Sequence, residues 1–190
     1  MCIRDSIHII LKALNSVGVN TKAVLDFDVL NSEVTFQRLF EALGGDWNDI
    51  KADYKQIKKQ VESKRPELNK TKLIKEVNEV FESIEGDVVP RFAVGKINGI
   101  MRKSSPWMNA KNMGEKVIPA GDPRKAWKKL HIKCLKIGLH IIEYGQIESF
   151  VETIGGHGST WVNSALERDL VKDPELSMAR KFVNRLYSMN

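Results

Sequence analysis

The chain has 190 residues, of which 42% are hydrophobic and 28% are charged, and its formal net charge is +6. This length allows one domain, or a core domain with one large insertion. The longest apolar run, residues 7–14, is interrupted by Lys12, and it is shorter than the roughly 18 residues that a membrane span requires. No cleavage site follows it, so we expect a cytoplasmic protein without a signal peptide or membrane contact.

The first six residues, Met-Cys-Ile-Arg-Asp-Ser, resemble the translation of a transposon end sequence that is used in preparing sequencing libraries. We interpret residues 1–6 as a non-native leader and exclude them from the fold prediction. This interpretation implies that part of the domain precedes Ile7. The two cysteines, Cys2 and Cys134, are too few for a disulfide framework or a zinc site.

Two short apolar runs predict the strands of an α/β fold. Residues 7–14 have helical character and stop at Val17-Gly18, and residues 21–28 then form an apolar run whose length favours a buried strand. Helix, turn and buried strand make half of an α/β unit, in which the strand before the helix is missing. Residues 138–144 predict a second core strand, which a short helix follows at residues 147–153.

The middle of the chain is predicted to be helical, with loops at residues 104–106 and 118–123. Two charged helices in this part look like a hairpin inserted into the α/β core. We therefore divide the chain into a core of residues 7–45 and 137–190 and a basic helical insertion of residues 46–136. The predicted helices cover residues 32–43, 46–64, 70–84, 91–103, 124–136, 159–170 and 174–188.

Positive charge is concentrated in the second half of this insertion. Residues 91–136 contain twelve Lys and Arg and two acids, a net charge of +10 in a chain whose total is +6. A concentrated basic stretch suits a polyanionic partner such as the DNA backbone, while the simpler alternative is a solvated helix face.

Asp26-Phe27-Asp28 is the sharpest chemical feature of the sequence. If the strand continues through these residues, alternation places both carboxylates on one side of its carboxyl end, where α/β proteins carry their sites. Two acids there favour a hard divalent cation. The alternative is an ordinary pair of turn or capping acids.

Four further residues could join this site. Glu148 follows the second strand and could reach the same edge, unless it only begins a surface helix. Glu143, within that strand, is a second choice as ligand. His157 in the Gly-Gly-His-Gly loop and Lys181 could contact phosphate, although an ordinary loop histidine and an exposed helical lysine are the simpler interpretations.

The order of these motifs resembles the TOPRIM segment of OLD-family proteins, which are ATPases with a C-terminal TOPRIM nuclease. The likeness spans almost the whole chain from Ile7. It is carried by Ala23-Val24-Leu25-Asp26-Phe27-Asp28, Ala42-Leu43-Gly44-Gly45-Asp46-Trp47, Gly145-Gln146-Ile147-Glu148-Ser149-Phe150 and Gly155-Gly156-His157-Gly158.

The resemblance implies a TOPRIM-like small parallel sheet and a metal-dependent DNA endonuclease. Asp26, Asp28 and Glu148 would be the catalytic residues and would hold Mg²⁺ or Mn²⁺. The family's first-strand glutamate would lie before Ile7, and ATP would bind only to the missing ATPase domain, because the chain has no Gly-x-x-x-x-Gly-Lys-Ser/Thr motif. We therefore expect little or no nuclease activity from the fragment alone, and a possible homodimer of the full-length parent.

Two rival functions remain open. A phosphatase of the haloacid dehalogenase class would use Asp26 as nucleophile and Asp28 as acid, but the sequence offers no convincing late acidic pair for it. A non-catalytic nucleic-acid-binding module would keep the basic stretch and use the acids only structurally. DNA cleavage and phosphate release separate these classes.

Overall fold

A computed structural model describes residues 3–64 and 67–188 of the chain. The predicted leader lies partly outside this range, because Met1 and Cys2 are not described, and its later residues continue into the first helix. The helices are α1 Ile3–Ser16, α2 Glu33–Ala42, α3 Lys51–Glu62, α4 Lys70–Glu82, α5 Arg91–Arg102, α6 Pro106–Met113, α7 Asp122–Lys136, α8 Ser159–Leu166 and α9 Ser177–Ser188, and the strands are β1 Ala23–Leu25 and β2 Leu139–Ile141.

The two strands form a parallel pair, which confirms the α/β class at a coarse level. Val24 lies opposite His140, and the Ile142 N–H donates to the carbonyl of Leu25 at 2.9 Å. Because the strands are parallel and in register, their carboxyl ends meet at the same edge. We call this the carboxyl edge.

Both strands are shorter than the sequence predicted. β1 ends at Leu25, and residues Phe27–Asn31 form a 3₁₀ helix. Asp28 therefore lies in a helical turn rather than in extended chain, so the prediction that strand alternation aligns it with Asp26 is wrong. Burial explains the early turn, because Phe27, Val29 and Leu30 all enter the core from this turn.

Most of the core lies on the Leu25 side of the sheet. Its buried residues come from β1, β2 and the helices α2, α3, α6 and α7. Phe27 packs on Trp127 with ring centroids 5.0 Å apart, and the Tyr54 hydroxyl donates to the carbonyl of Leu30 at 2.9 Å. A second apolar cluster forms on the other side around Phe150, Trp161 and Phe182, where α8 and α9 pack.

Helices α4 and α5 stand apart from this core and form an antiparallel hairpin. Each helix has a single buried side chain, Val80 in α4 and Ala93 in α5. The Lys103 ammonium reaches the Glu76 carboxylate at 2.8 Å and ties the two helices together at the base. Within the part of the chain that the structure describes, no helix combines the length and the apolar character needed to cross a bilayer.

Candidate functional site

Asp26 begins the carboxyl edge, directly after β1. The N–H of its neighbour Phe27 donates to the carbonyl of Gly145 at 2.6 Å, which joins the segment after β1 to the segment after β2. The Asp26 carboxylate Oδ2 lies 3.8 Å from the ammonium Nζ of Lys111, and both side chains are about one-third exposed. A carboxylate and an ammonium group therefore face solvent together at this edge.

Lys111 reaches this position because α6 approaches the loop after β2 very closely. Gly145 has φ +107°, and a Cβ added there would lie 2.1 Å from the carbonyl oxygen of Lys111. Gly114, with φ +58°, makes an equally close approach to the carbonyl of Glu143. Only glycine tolerates both this backbone region and this spacing, so these two residues fix the backbone position of α6 from which the Lys111 side chain extends.

Lys111 was missed as a site residue by sequence reasoning, which counted it only within the basic stretch. The weak signal that could have indicated α6 is Ser105-Pro106, because proline is favoured in the first turn of a helix. The pairing with Asp26 joins residues far apart in the chain and depends on the Gly145 contact, which no local pattern shows.

Glu148 follows β2 in a 3₁₀ helix, Ile147–Phe150, and its side chain is only 16% exposed. Its Oε1 accepts a hydrogen bond from the Gly158 N–H at 3.1 Å and lies 3.6 Å from His157 Nδ1. Partial burial raises the pKa of Glu148, but these donors, its own N–H and the charge of Lys111 outweigh burial and lower it. Glu148 is therefore an ionised carboxylate at neutral pH, close enough to Lys111 to be affected by its charge.

The remaining predicted residues differ in how far the structure connects them to this edge. His157 contacts Glu148 and is 79% exposed, and its contact with phosphate stays a prediction. Asp28 is half-buried in the turn after Asp26. Lys181, on α9, is exposed and has no ionic or hydrogen-bonded partner among the residues described, so its contact with phosphate stays a prediction.

Glu143, the alternative ligand, is already engaged elsewhere. Its carboxylate lies 3.3 Å from Nδ1 of buried His131 and 2.9 Å from the guanidinium of Arg185. Burial lowers the pKa of His131, although the Glu143 charge opposes that shift. Glu143 thus joins α7 to α9 beneath the carboxyl edge, and this structural contact accounts for its charge.

The described acids do not assemble a metal centre. In residues 3–64 and 67–188, no group of three or more His, Cys, Asp or Glu side chains could hold a metal ion. At this edge Asp26 is paired with the Lys111 ammonium instead. A shared Mg²⁺ or Mn²⁺ ion on Asp26, Asp28 and Glu148 stays a prediction.

The basic stretch divides between two parts of the fold. On α7, an exposed stripe at helical spacing carries four lysines around Ile132, whereas the positive charges of α5 lie on the hairpin. Glu115 connects the first turn of α7 to the carboxyl edge. Its N–H donates to the Glu143 carbonyl at 2.8 Å, and its carboxylate lies 3.1 Å from the guanidinium of Arg124. The lysines of this α7 stripe are Lys125, Lys128, Lys129 and Lys136.

Comparison of the chain with protein-family models, with curated proteins and with solved structures finds no match. The resemblance to OLD-family proteins therefore depends on the sequence motifs alone.

Proposed function

We propose that the chain binds the DNA backbone at its carboxyl edge and belongs to the phosphodiester-cleaving part of an OLD-type DNA endonuclease. One observation carries the proposal. Asp26 and Glu148 each follow one of two paired parallel strands, and Lys111 from α6 lies at the same edge. The carboxyl ends of parallel strands are where α/β proteins bind their ligands.

The chemistry of these three side chains suits a phosphodiester. The Lys111 ammonium can transfer from Asp26 to a non-bridging phosphate oxygen and offset the charge that grows as water attacks phosphorus. Asp26, released from Lys111, is then placed to accept a proton from the attacking water. The P–O bond to the leaving oxygen breaks as the new bond forms, and the leaving alkoxide takes its proton from solvent. Glu148, whose pKa is lowered, carries an ionised carboxylate that can orient the attacking water.

The α7 stripe supplies the longer contact with DNA. Four exposed lysines on one side of a helix that begins beside the carboxyl edge can follow a phosphate backbone without reading bases. Binding of this kind weakens steeply with salt, because each neutralised phosphate releases a counterion. The stripe therefore predicts DNA binding that is independent of sequence and dependent on salt.

A second candidate is a non-catalytic nucleic-acid-binding module. The Asp26–Lys111 ion pair favours it, because a carboxylate and an ammonium group that neutralise each other can be purely structural. In this case DNA binding persists while Asp26 and Glu148 have no effect on any covalent step.

The test compares the complete open reading frame that encodes this chain with the chain itself. Each is incubated with supercoiled plasmid in Mg²⁺, in Mn²⁺ and in EDTA, beside an Asp26→Asn variant and the exposed control Lys55→Ala. We expect the complete protein to cleave DNA, Asp26→Asn to lose most of the activity and Lys55→Ala to retain it. DNA binding without cleavage in any condition would establish the binding module, and release of phosphate from a small phosphomonoester would establish the phosphatase.

A further inference from the structure

The α4–α5 hairpin leaves an apolar surface uncovered. Ile74 and Phe81 on α4 and Val94 and Met101 on α5 are each between 47% and 49% exposed. The two helices are joined by residues 83–90 and pack mainly on each other. At the base of the hairpin, Met101 also borders a cleft with Glu62 and Trp107. Four half-exposed large apolar residues on 33 residues of hairpin are more than isolated surface positions account for.

Helical spacing places these four residues on one side of the hairpin. Leu73, Val77 and Val80 form the seam of α4 toward α5, and Ile74 and Phe81 lie next to that seam on one flank. Helix α5 runs antiparallel to α4, and its flank on the same side of the hairpin carries Val94 and Met101. The opposite flank is polar and forms a groove of about 500 Å³, lined mainly by Glu76, Glu79, Ser83, Lys96 and Lys103.

Charge is distributed unevenly along the hairpin. Its base is basic on both helices, although Glu76 pairs there with Lys103, and its tip is acidic with two cations, Arg91 and Lys96. A second copy placed base to base would bring these positive charges together, whereas a copy placed base to tip would match opposite charges. The base carries Lys70, Lys72, Lys75, Arg102 and Lys103, and the tip carries Glu79, Glu82, Glu85 and Asp87.

We propose that the hairpin is a homodimerisation arm. A second copy of the chain lays its own apolar flank against Ile74, Phe81, Val94 and Met101 in antiparallel orientation, so that the four helices form a small bundle. Helix α4 then lies against α4 of the second copy, with Lys75 facing Glu82 across the two-fold axis. The two interactions have separate roles, since apolar burial supplies affinity and the charges select the antiparallel orientation.

Sedimentation equilibrium of the purified chain over a range of concentrations tests the apolar part. We expect a reversible monomer–dimer equilibrium that Phe81→Glu weakens at least about tenfold, because the variant buries a charge in the interface. Phe92→Glu is the matched control, since Phe92 is 53% exposed but lies on the other flank of α5. A chain that stays monomeric at all concentrations, or a dimer that both variants weaken equally, would overturn the proposal.

A charge exchange tests the orientation. Lys75→Glu and Glu82→Lys should each weaken the dimer several-fold, because each places like charges across the two-fold axis, and the double variant should restore wild-type affinity. Both side chains are exposed, but Lys75 also lies 3.9 Å from Glu79 on its own helix, so circular dichroism of the three variants measures any loss of helix separately from the loss of dimer. Additive losses in the double variant would exclude the antiparallel arrangement. None of these results depends on DNA cleavage.

Discussion

Lys111 is the residue through which the carboxyl edge would hold a phosphate. We predict that Lys111→Ala weakens DNA binding several-fold near 0.1 M salt and lowers the slope of log affinity against log salt by about 1, the loss of one phosphate contact. Fluorescence anisotropy with a duplex DNA, without divalent ions, measures both quantities. Lys55→Ala removes the same charge from an exposed position on α3 and is the control; an equal effect of the two variants would show that only net charge matters.

His140 makes stability depend on pH. Its ring is fully buried in β2 and neither ring nitrogen has a hydrogen-bond partner among the described residues. Burial, helped by the charges of Lys22, Arg185 and His131, lowers its pKa to about 4. The unfolded chain, with an ordinary histidine pKa near 6.5, binds more protons between these values, so the free energy of unfolding should fall as pH falls from about 6.5 to 4.

Urea denaturation at several pH values between 7.5 and 4 measures this effect. Across that window, His140 changes the free energy of unfolding by at most about 3 kcal/mol. Its full stabilising contribution is present above pH 6.5. His140→Leu fills the site with an apolar side chain of similar size, so it should keep neutral-pH stability and reduce the slope. A variant whose stability follows the wild-type pH profile would assign the slope to other groups.

The packing of α6 against the loop after β2 depends on glycine, and a matched pair of substitutions tests it. Gly145→Ala should lower the free energy of unfolding by about 2–4 kcal/mol, because the new Cβ meets the Lys111 carbonyl and the backbone has positive φ. Gly99→Ala, in the exposed part of α5 with open space around it, should raise it by about 1 kcal/mol. Thermal denaturation should show that Gly145→Ala is less stable than the wild type and that Gly99→Ala is more stable. Changes in the same direction would contradict the close approach of α6 to the loop after β2.

Elements with strong local signals were predictable, and those fixed by distant contacts were not. The apolar stripe of α3 and the apolar run of β1 predicted a helix and a strand that the structure confirms. Helix α6 was not predicted, since it lies between two loops and has only two buried side chains. Asp26 was found because it follows β1 directly, but its partner Lys111 is brought there by a tertiary contact.

The basic insertion predicted for residues 46–136 has two different parts in the structure. Helices α3 and α7 pack against each other and against β1 and β2 in the main core, whereas α4 and α5 lie outside it. Sequence pattern shows that all these helices are amphipathic, but it does not show which apolar face has a partner. That difference divides the molecule into a core that positions the carboxyl edge and a hairpin whose stability depends on what covers it.

Hydrogen exchange should reveal this division. At low protein concentration, amides of α4 and α5 should open with a much smaller free energy than those of α3 and α7, because few buried contacts hold the hairpin. Dimerisation through the apolar flank would then stabilise α4 and α5 by mass action, so their protection should rise with protein concentration while that of α7 stays constant. Phe81→Glu should remove the concentration dependence. Hairpin protection equal to that of α7 at every concentration would mean that the hairpin belongs to the core.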